Sequence, residues 1–137
     1  MVKNKTTVIV VEDNIVYCEF VCNMLVREGF HTVQSYRLAT ARKLLQQASD
    51  GDIVLSDLRL PDGNGIDLLR WMRKEGLALP FIIMTDYAEV HTAVESMKLG
   101  SLDYIPKTAG RGQAGPAAPQ HSERTGRQST AYARVCP

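Results

Sequence analysis

The chain has 137 residues, the length of one ordinary domain, and its 45% hydrophobic and 23% charged content excludes wholesale disorder. A formal charge of +1 argues against nucleic-acid binding by bulk charge, and no apolar run approaches the roughly 18 residues of a membrane span. MVKNKTT lacks a signal-peptide core, and Cys18, Cys22 and Cys136 lack metal-ligand spacing, so a reduced, cytoplasmic setting is expected.

Taken in chain order, Thr7–Val11 (TVIVV) is a β-branched run suited to a strand buried on both faces. Asp13 or Asn14 then caps a helix to about Glu28, which Gly29 ends. Thr32–Ser35 is a weaker strand, and Leu38, Ala41, Leu44, Leu45 and Ala48 recur at helical spacing. Asp52–Ser56 is a buried strand, followed by the turn-rich Leu60-Pro61-Asp62-Gly63-Asn64-Gly65 and a helix marked by Ile66, Leu69, Met72 and Arg73. Phe81–Met84 is the next strand, Ala88–Leu99 the next helix and Leu102–Ile105 the fifth strand. Strands alternating with single helices predict βαβ units, hence a doubly wound α/β parallel sheet of five strands. With every strand read as apolar throughout, helices are expected on both faces.

Composition changes after Lys107. Residues 1–107 carry twelve basic and fourteen acidic side chains, whereas 108–137 carry Arg111, Arg124, Arg127 and Arg134 against Glu123 alone. The second stretch has four glycines, three prolines and little that could be buried, so it cannot offset its ordering entropy. The expected domain is therefore 1–107, with 108–137 a low-complexity tail that is disordered or non-native.

Open sheets of this class bind ligands beyond the carboxyl ends of their strands. There the first strand ends in Glu12-Asp13, the third in Asp57, the fourth in Thr85 and the fifth in Pro106-Lys107. Any one of these is ordinarily a loop residue or a helix cap. Four strands delivering three carboxylates, a hydroxyl and an ammonium to one edge is a different matter. Clustered carboxylates repel, and a hard cation bound by oxygens, such as Mg²⁺, removes that cost while leaving places for phosphate oxygens. The lysine and hydroxyl then suit a phosphoryl group. Neither a Walker-type loop nor a dinucleotide fingerprint follows the first strand, which leaves an aspartate nucleophile as one route.

Glu12-Asp13, Ser56-Asp57-Leu58-Arg59-Leu60-Pro61-Asp62-Gly63-Asn64-Gly65, Met84-Thr85 and Asp103-Tyr104-Ile105-Pro106-Lys107 occur in this order over residues 6–107. In them the chain resembles the receiver domains of two-component response regulators. Thr92-Ala93-Val94-Glu95-Ser96-Met97-Lys98-Leu99-Gly100 looks most like receivers of nitrogen-regulator-type transcription activators. The resemblance implies a flavodoxin-like sheet of strand order 2-1-3-4-5. It implies Asp57 as phosphoacceptor from the phosphohistidine of a sensor histidine kinase. Glu12 (through water), Asp13, Asp57 and the main-chain carbonyl of Arg59 would organise Mg²⁺. Lys107 would pair with the phosphoryl oxygens, and Thr85 and Tyr104 would form the switch. The function implied is a phosphorylation-dependent switch in a phosphorelay, regulating transcription in the full-length protein, and not an enzyme in its own right.

The pattern is broken in three places. Thr108 stands where the family has proline, so Lys107-Thr108 should be trans. Residues 108–137 offer no fifth helix. Asp86 follows the switch threonine where a small residue is usual, and its spacing to Glu89 suits a capping box. On the first helix Tyr17, Phe20, Val21, Met24 and Leu25 are expected to face the core, with Ile15, Cys22 and Val26 roughly opposite. Without a fifth helix that side is expected either to support a homodimer, with Ile15, Cys22 or Val26 among the contacts, or to be covered by a rearranged or swapped element, while the domain makes no direct DNA or membrane contact. Two rival readings are an aspartate-based phosphatase, which Arg59 two residues after Asp57 counts against, and an interaction module with an inert acidic edge.

Overall fold

A computed structural model describes residues 6–86 and 90–107. β1 (Thr7–Val11) leads into α1 (Ile15–Arg27), β2 (His31–Ser35) into α2 (Leu38–Leu45), and β3 (Ile53–Asp57) into a short turn. That turn holds a two-residue antiparallel ladder, β4 (Arg59–Leu60) with β5 (Gly63–Asn64). α3 (Gly65–Lys74), β6 (Phe81–Thr85), α4 (Val90–Lys98) and β7 (Asp103–Pro106) follow. The five long strands pair in parallel as β2-β1-β3-β6-β7, the predicted 2-1-3-4-5 order once the small ladder is set aside.

Period-two alternation divides the core between the sheet's two faces. Val8, Val10, Leu55, Ile82, Met84 and Ile105 pack with α1 on one face. Ile9, Val11, Val54, Phe81 and Ile83 pack with residues of α2 and α3 on the other. β2 departs from the expectation of uniformly apolar strands: His31 and Gln34 are exposed. It is an edge strand paired only with β1, so less of its surface needs cover.

Asn14 accepts a hydrogen bond from Tyr17 N at 3.0 Å and so starts α1. Gly29, at φ 99°, ends it in a Schellman turn closed by Phe30 N to Leu25 O at 3.0 Å. This start aims Cys18, Val21, Cys22 and Leu25 at the sheet; of the predicted face Val21 and Leu25 are buried, whereas Tyr17 and Met24 are half-buried and Phe20 is exposed. Cys22 is buried and cannot be a surface contact, whereas Phe20 is 38% exposed. The bulkiest side chains dominate the sequence pattern, but the small thiols of Cys18 and Cys22 are buried in the core and the Tyr17 and Phe20 rings lie at its margin. Ile15 and Val26 are exposed, as expected.

Elsewhere the termini are tied by side chains distant in sequence. Asp62 accepts hydrogen bonds from Leu38 N and Ala39 N at 2.8 and 3.1 Å, capping α2 where Arg37 supplies no cap of its own. Arg73 donates to the carbonyls of Leu77, Leu99 and Gly100, joining α3 to the end of α4. The capping box at Asp86 and Glu89, the Lys107-Thr108 bond, and the tail without a fifth helix lie wholly or partly outside the described residues.

Gly65 makes the closest approach in this framework. A Cβ there would meet the Asp57 carbonyl oxygen at 2.5 Å and Ser56 Oγ at 3.1 Å. Backbone cannot yield as a flexible side chain does. Gly65→Ala is expected to cost roughly 1–3 kcal/mol in urea unfolding through overpacking. A midpoint equal to wild type would show that the turn has slack.

Candidate functional site

Parallel pairing puts the strand ends side by side: Val11 is level with Ser56, and Asp57 with Met84. The residue that ends each strand, or follows it, therefore arrives at one edge. Glu12 and Asp57 are buried and Asp13 is exposed. Their carboxylates present oxygens that all lie within 4.8 Å of one another.

Asp57 is held at both oxygens. Leu58 N donates to Oδ1 at 2.7 Å and Lys107 Nζ to Oδ2 at 3.0 Å. Lys107 Nζ also lies 2.5 Å from Glu12 Oε1. Asn14 N donates to Glu12 Oε2 at 2.9 Å, and Glu12 N to Ser35 O at 2.9 Å. Burial pushes the Glu12 carboxyl up to about 7 despite its bonds to Lys107 and Asn14, and the Asp57 charge pushes the same way. Burial alone would lower the Lys107 ammonium, yet its contacts with Glu12 and Asp57 leave it above its ordinary value.

The remaining predicted residues occupy the same edge or its approach. Thr85 is buried at the end of β6, level with Pro106. Tyr104, level with Ile83, is half-buried and packs on the α2–α3 side of the sheet. Arg59 lies two residues beyond Asp57 with an exposed side chain, paired with Asn64. Arg59 and Asn64 line a cleft of about 310 Å³ with Arg70, His91 and Glu95, but none of the three clustered acids does.

One neighbour was missed from sequence. The Tyr17 ring faces Lys107 Nζ at 4.7 Å from its centroid. Its aromatic character matched a core face, and only the cap at Asn14 could have hinted that it sits beside the acidic edge.

The response regulator receiver domain family matches residues 8–114. The chain belongs to that family. ZraR of Escherichia coli K12, a transcriptional regulatory protein, is 33% identical over 109 residues, covering 78% of this chain and 24% of ZraR. The regulatory protein AtoC of the same organism is 41% identical over 80 residues, covering 58% of this chain and 17% of AtoC. The chain thus spans about a quarter or less of these curated relatives' length. The non-phosphorylated HemR receiver domain from Leptospira biflexa superposes with TM-score 0.70 at 31% identity, covering 75% of this chain and 82% of that one. A response regulator receiver protein from Pseudomonas putida gives TM-score 0.70 at 30% identity, over 78% of this chain and 89% of its own. NtrC of Proteus hauseri, a DNA-binding transcriptional regulator, also matches, at 41% identity over 56 residues covering 41% of this chain and 12% of NtrC. These names agree with the nitrogen-regulator-type likeness. Receiver domains are phosphoacceptor switches, not classical enzymes, and they hold Mg²⁺ in an acidic pocket.

The donor set here fits such an ion. It is oxygen only, and the buried Glu12 and Asp57 carboxylates share the Lys107 ammonium between them. Below pH 4.5 Glu12 is neutral whether folded or unfolded. Between 4.5 and about 7 the folded state holds more of its proton, so rising pH costs stability until both states are ionised. In chelator, wild type should therefore lose a few kcal/mol relative to Glu12→Gln between pH 5 and 8. Parallel urea midpoints across that range would show Glu12 already charged at pH 5.

Proposed function

We propose that Asp57 accepts a phosphoryl group from the phosphohistidine of a sensor histidine kinase. The observation that supports this most is the Asp57 carboxylate, held by Leu58 N and Lys107 Nζ beside two further acids. An Asp57 oxygen bonds to phosphorus while the P–N bond to imidazole breaks; the nitrogen keeps the electron pair, and an acyl phosphate results. Asp13, Asp57 and the Arg59 carbonyl would hold Mg²⁺, with Glu12 acting through water. Mg²⁺, when bound, supplies the positive charge that the phosphoryl oxygens and the acids require. Lys107 pairs with a phosphoryl oxygen, sharing an ammonium now divided between Glu12 and Asp57. Thr85 then hydrogen-bonds the phosphoryl group and Tyr104 turns inward, a local charge event read by a bistable element.

The likeness to ZraR, AtoC and NtrC supports transcription regulation by the full-length protein in the cytoplasm. The near-balanced charge of the domain and the lack of any spanning helix among the described residues support a domain that touches neither DNA nor membrane. Incubation with acetyl phosphate and Mg²⁺ should add one phosphoryl group, absent in Asp57→Asn. Asp13→Ala should fold yet bind Mg²⁺ about tenfold or more weakly. Label persisting in Asp57→Asn, or unchanged Mg²⁺ affinity in Asp13→Ala, would overturn these assignments.

Self-association through the outer side of α1 is part of the same reading. Ile15, Val16 and Val26 are 56%, 78% and 52% exposed there. Sedimentation should show a concentration-dependent dimer that Val26→Glu weakens. A monomer at all concentrations would remove α1 as the contact.

A further inference from the structure

The acidic edge contains a closed circuit. Glu12 Oε2 accepts from Asn14 N at 2.9 Å, and Asn14 Oδ1 accepts from Tyr17 N at 3.0 Å. The Tyr17 ring faces Lys107 Nζ at 4.7 Å, and Lys107 returns to Glu12 Oε1 at 2.5 Å and to Asp57 Oδ2 at 3.0 Å. Helix capping of α1 and placement of the lysine therefore share one set of contacts. We propose that Tyr17 is a positioning residue for Lys107: its ring face holds the ammonium so that one head group reaches both Glu12 and Asp57.

A lysine has four flexible carbon–carbon bonds and a head group without fixed directions. Here the residue is only 5% exposed, and two carboxylates draw its head group. The carboxylates fix how far it reaches but leave it free to swing about the line between them. An aromatic face supplies attraction from a further direction without adding a charge. A third carboxylate in that place would sharpen the acid crowding, and an aliphatic side chain would leave the ammonium without a partner on that side. Tyr17 is itself held, because its amide is pinned by Asn14 and its ring rests against Phe20 at 5.9 Å between centroids. The proposal gives the ring a role beyond partial core cover, and it rests on Asp57 being the acceptor.

The test uses the full chain with Tyr17→Phe, which keeps the ring, and Tyr17→Leu, which keeps apolar bulk without it. In metal-free protein, ring current should move the Lys107 ε-methylene resonances upfield in wild type and Tyr17→Phe, and release them in Tyr17→Leu. With acetyl phosphate and Mg²⁺, an Asp57 oxygen attacks phosphorus, the P–O bond to the acetyl group breaks, and acetate leaves with the electron pair. The rate of that step should fall roughly tenfold in Tyr17→Leu, as expected for losing a desolvated cation–π contact, and stay near wild type in Tyr17→Phe. Mg²⁺ affinity should be equal in all three, which a general collapse of the site would not allow. Tyr17→Phe falling as far as Tyr17→Leu, or wild-type labelling by Tyr17→Leu, would overturn the proposal while leaving Asp57 as acceptor. If wild type takes no label at all, the acceptor reading fails instead, and the Lys107 resonances still decide whether the ring holds the ammonium.

Discussion

Three carboxylates brought within 4.8 Å of one another at a largely buried edge would repel strongly. At an effective dielectric near 20, each pair of unit charges 4 Å apart costs about 4 kcal/mol. The Lys107 ammonium opposes that cost from inside the cluster. It comes from the far end of the chain's described part, carried by β7, which has a single neighbour in the sheet. Neutralisation of the site therefore depends on a residue that directly follows an edge strand. Glu12 shows how incomplete the balance is: its carboxyl retains a proton to about pH 7 because burial outweighs the help of one shared ammonium. An incoming cation meets a site already short of positive charge.

Much of this is legible in the sequence. Apolar strands ended by charged residues left little choice but a parallel sheet with those residues on one edge, and Glu12, Asp57 and Lys107 meet there. Parallel register does the work, because it turns sequence position at a strand end into spatial proximity. What stayed hidden depends on rotation and on long-range contacts. The α1 face was misread by one helical step in its emphasis, since hydrophobicity weighs Phe20 above Cys22 while the sheet selects by fit. Nothing local to Asp62 reveals that it caps a helix beginning 24 residues earlier. Tyr17 could be placed on a helix from sequence, but not over a lysine 90 positions away.

The turn after β3 gathers constraints out of proportion to its length. Ser56 Oγ donates to the Asp57 carbonyl at 2.8 Å, and Gly65 N donates to the Leu58 carbonyl at 2.8 Å. Asp62 fixes α2, while Asn64 and Asp67 form the capping box of α3. The turn that follows Asp57 is thus fastened to α2 and α3, and the Asp57 carboxylate is oriented by its own neighbour, Leu58 N. On the proposed reading, such fastening suits a nucleophile that must present one oxygen without searching.

The surroundings of α4 are fastened differently. Its C-terminal end is tied through Arg73 to the carbonyls of Leu99 and Gly100, and Glu95 pairs with Arg70 across the gap to α3. Arg70 and Glu95 are each about half exposed, so that ion pair is a weak tether beside the partly buried Arg73 contacts. On the proposed reading, charge added at Asp57 would first disturb Lys107 and then Thr85, the buried end of β6. Tyr104, level with Ile83 and half-buried, lies on the α2–α3 side of the sheet, the side that also carries Leu99 at the end of α4. A signal from the acidic edge can thus cross from the α1 side, where Lys107 meets Tyr17, to the opposite layer through one strand pair, β6 with β7. That pair joins the hydroxyl, the aromatic ring and the ammonium in two adjacent segments, so coupling among them needs no path through the rest of the core.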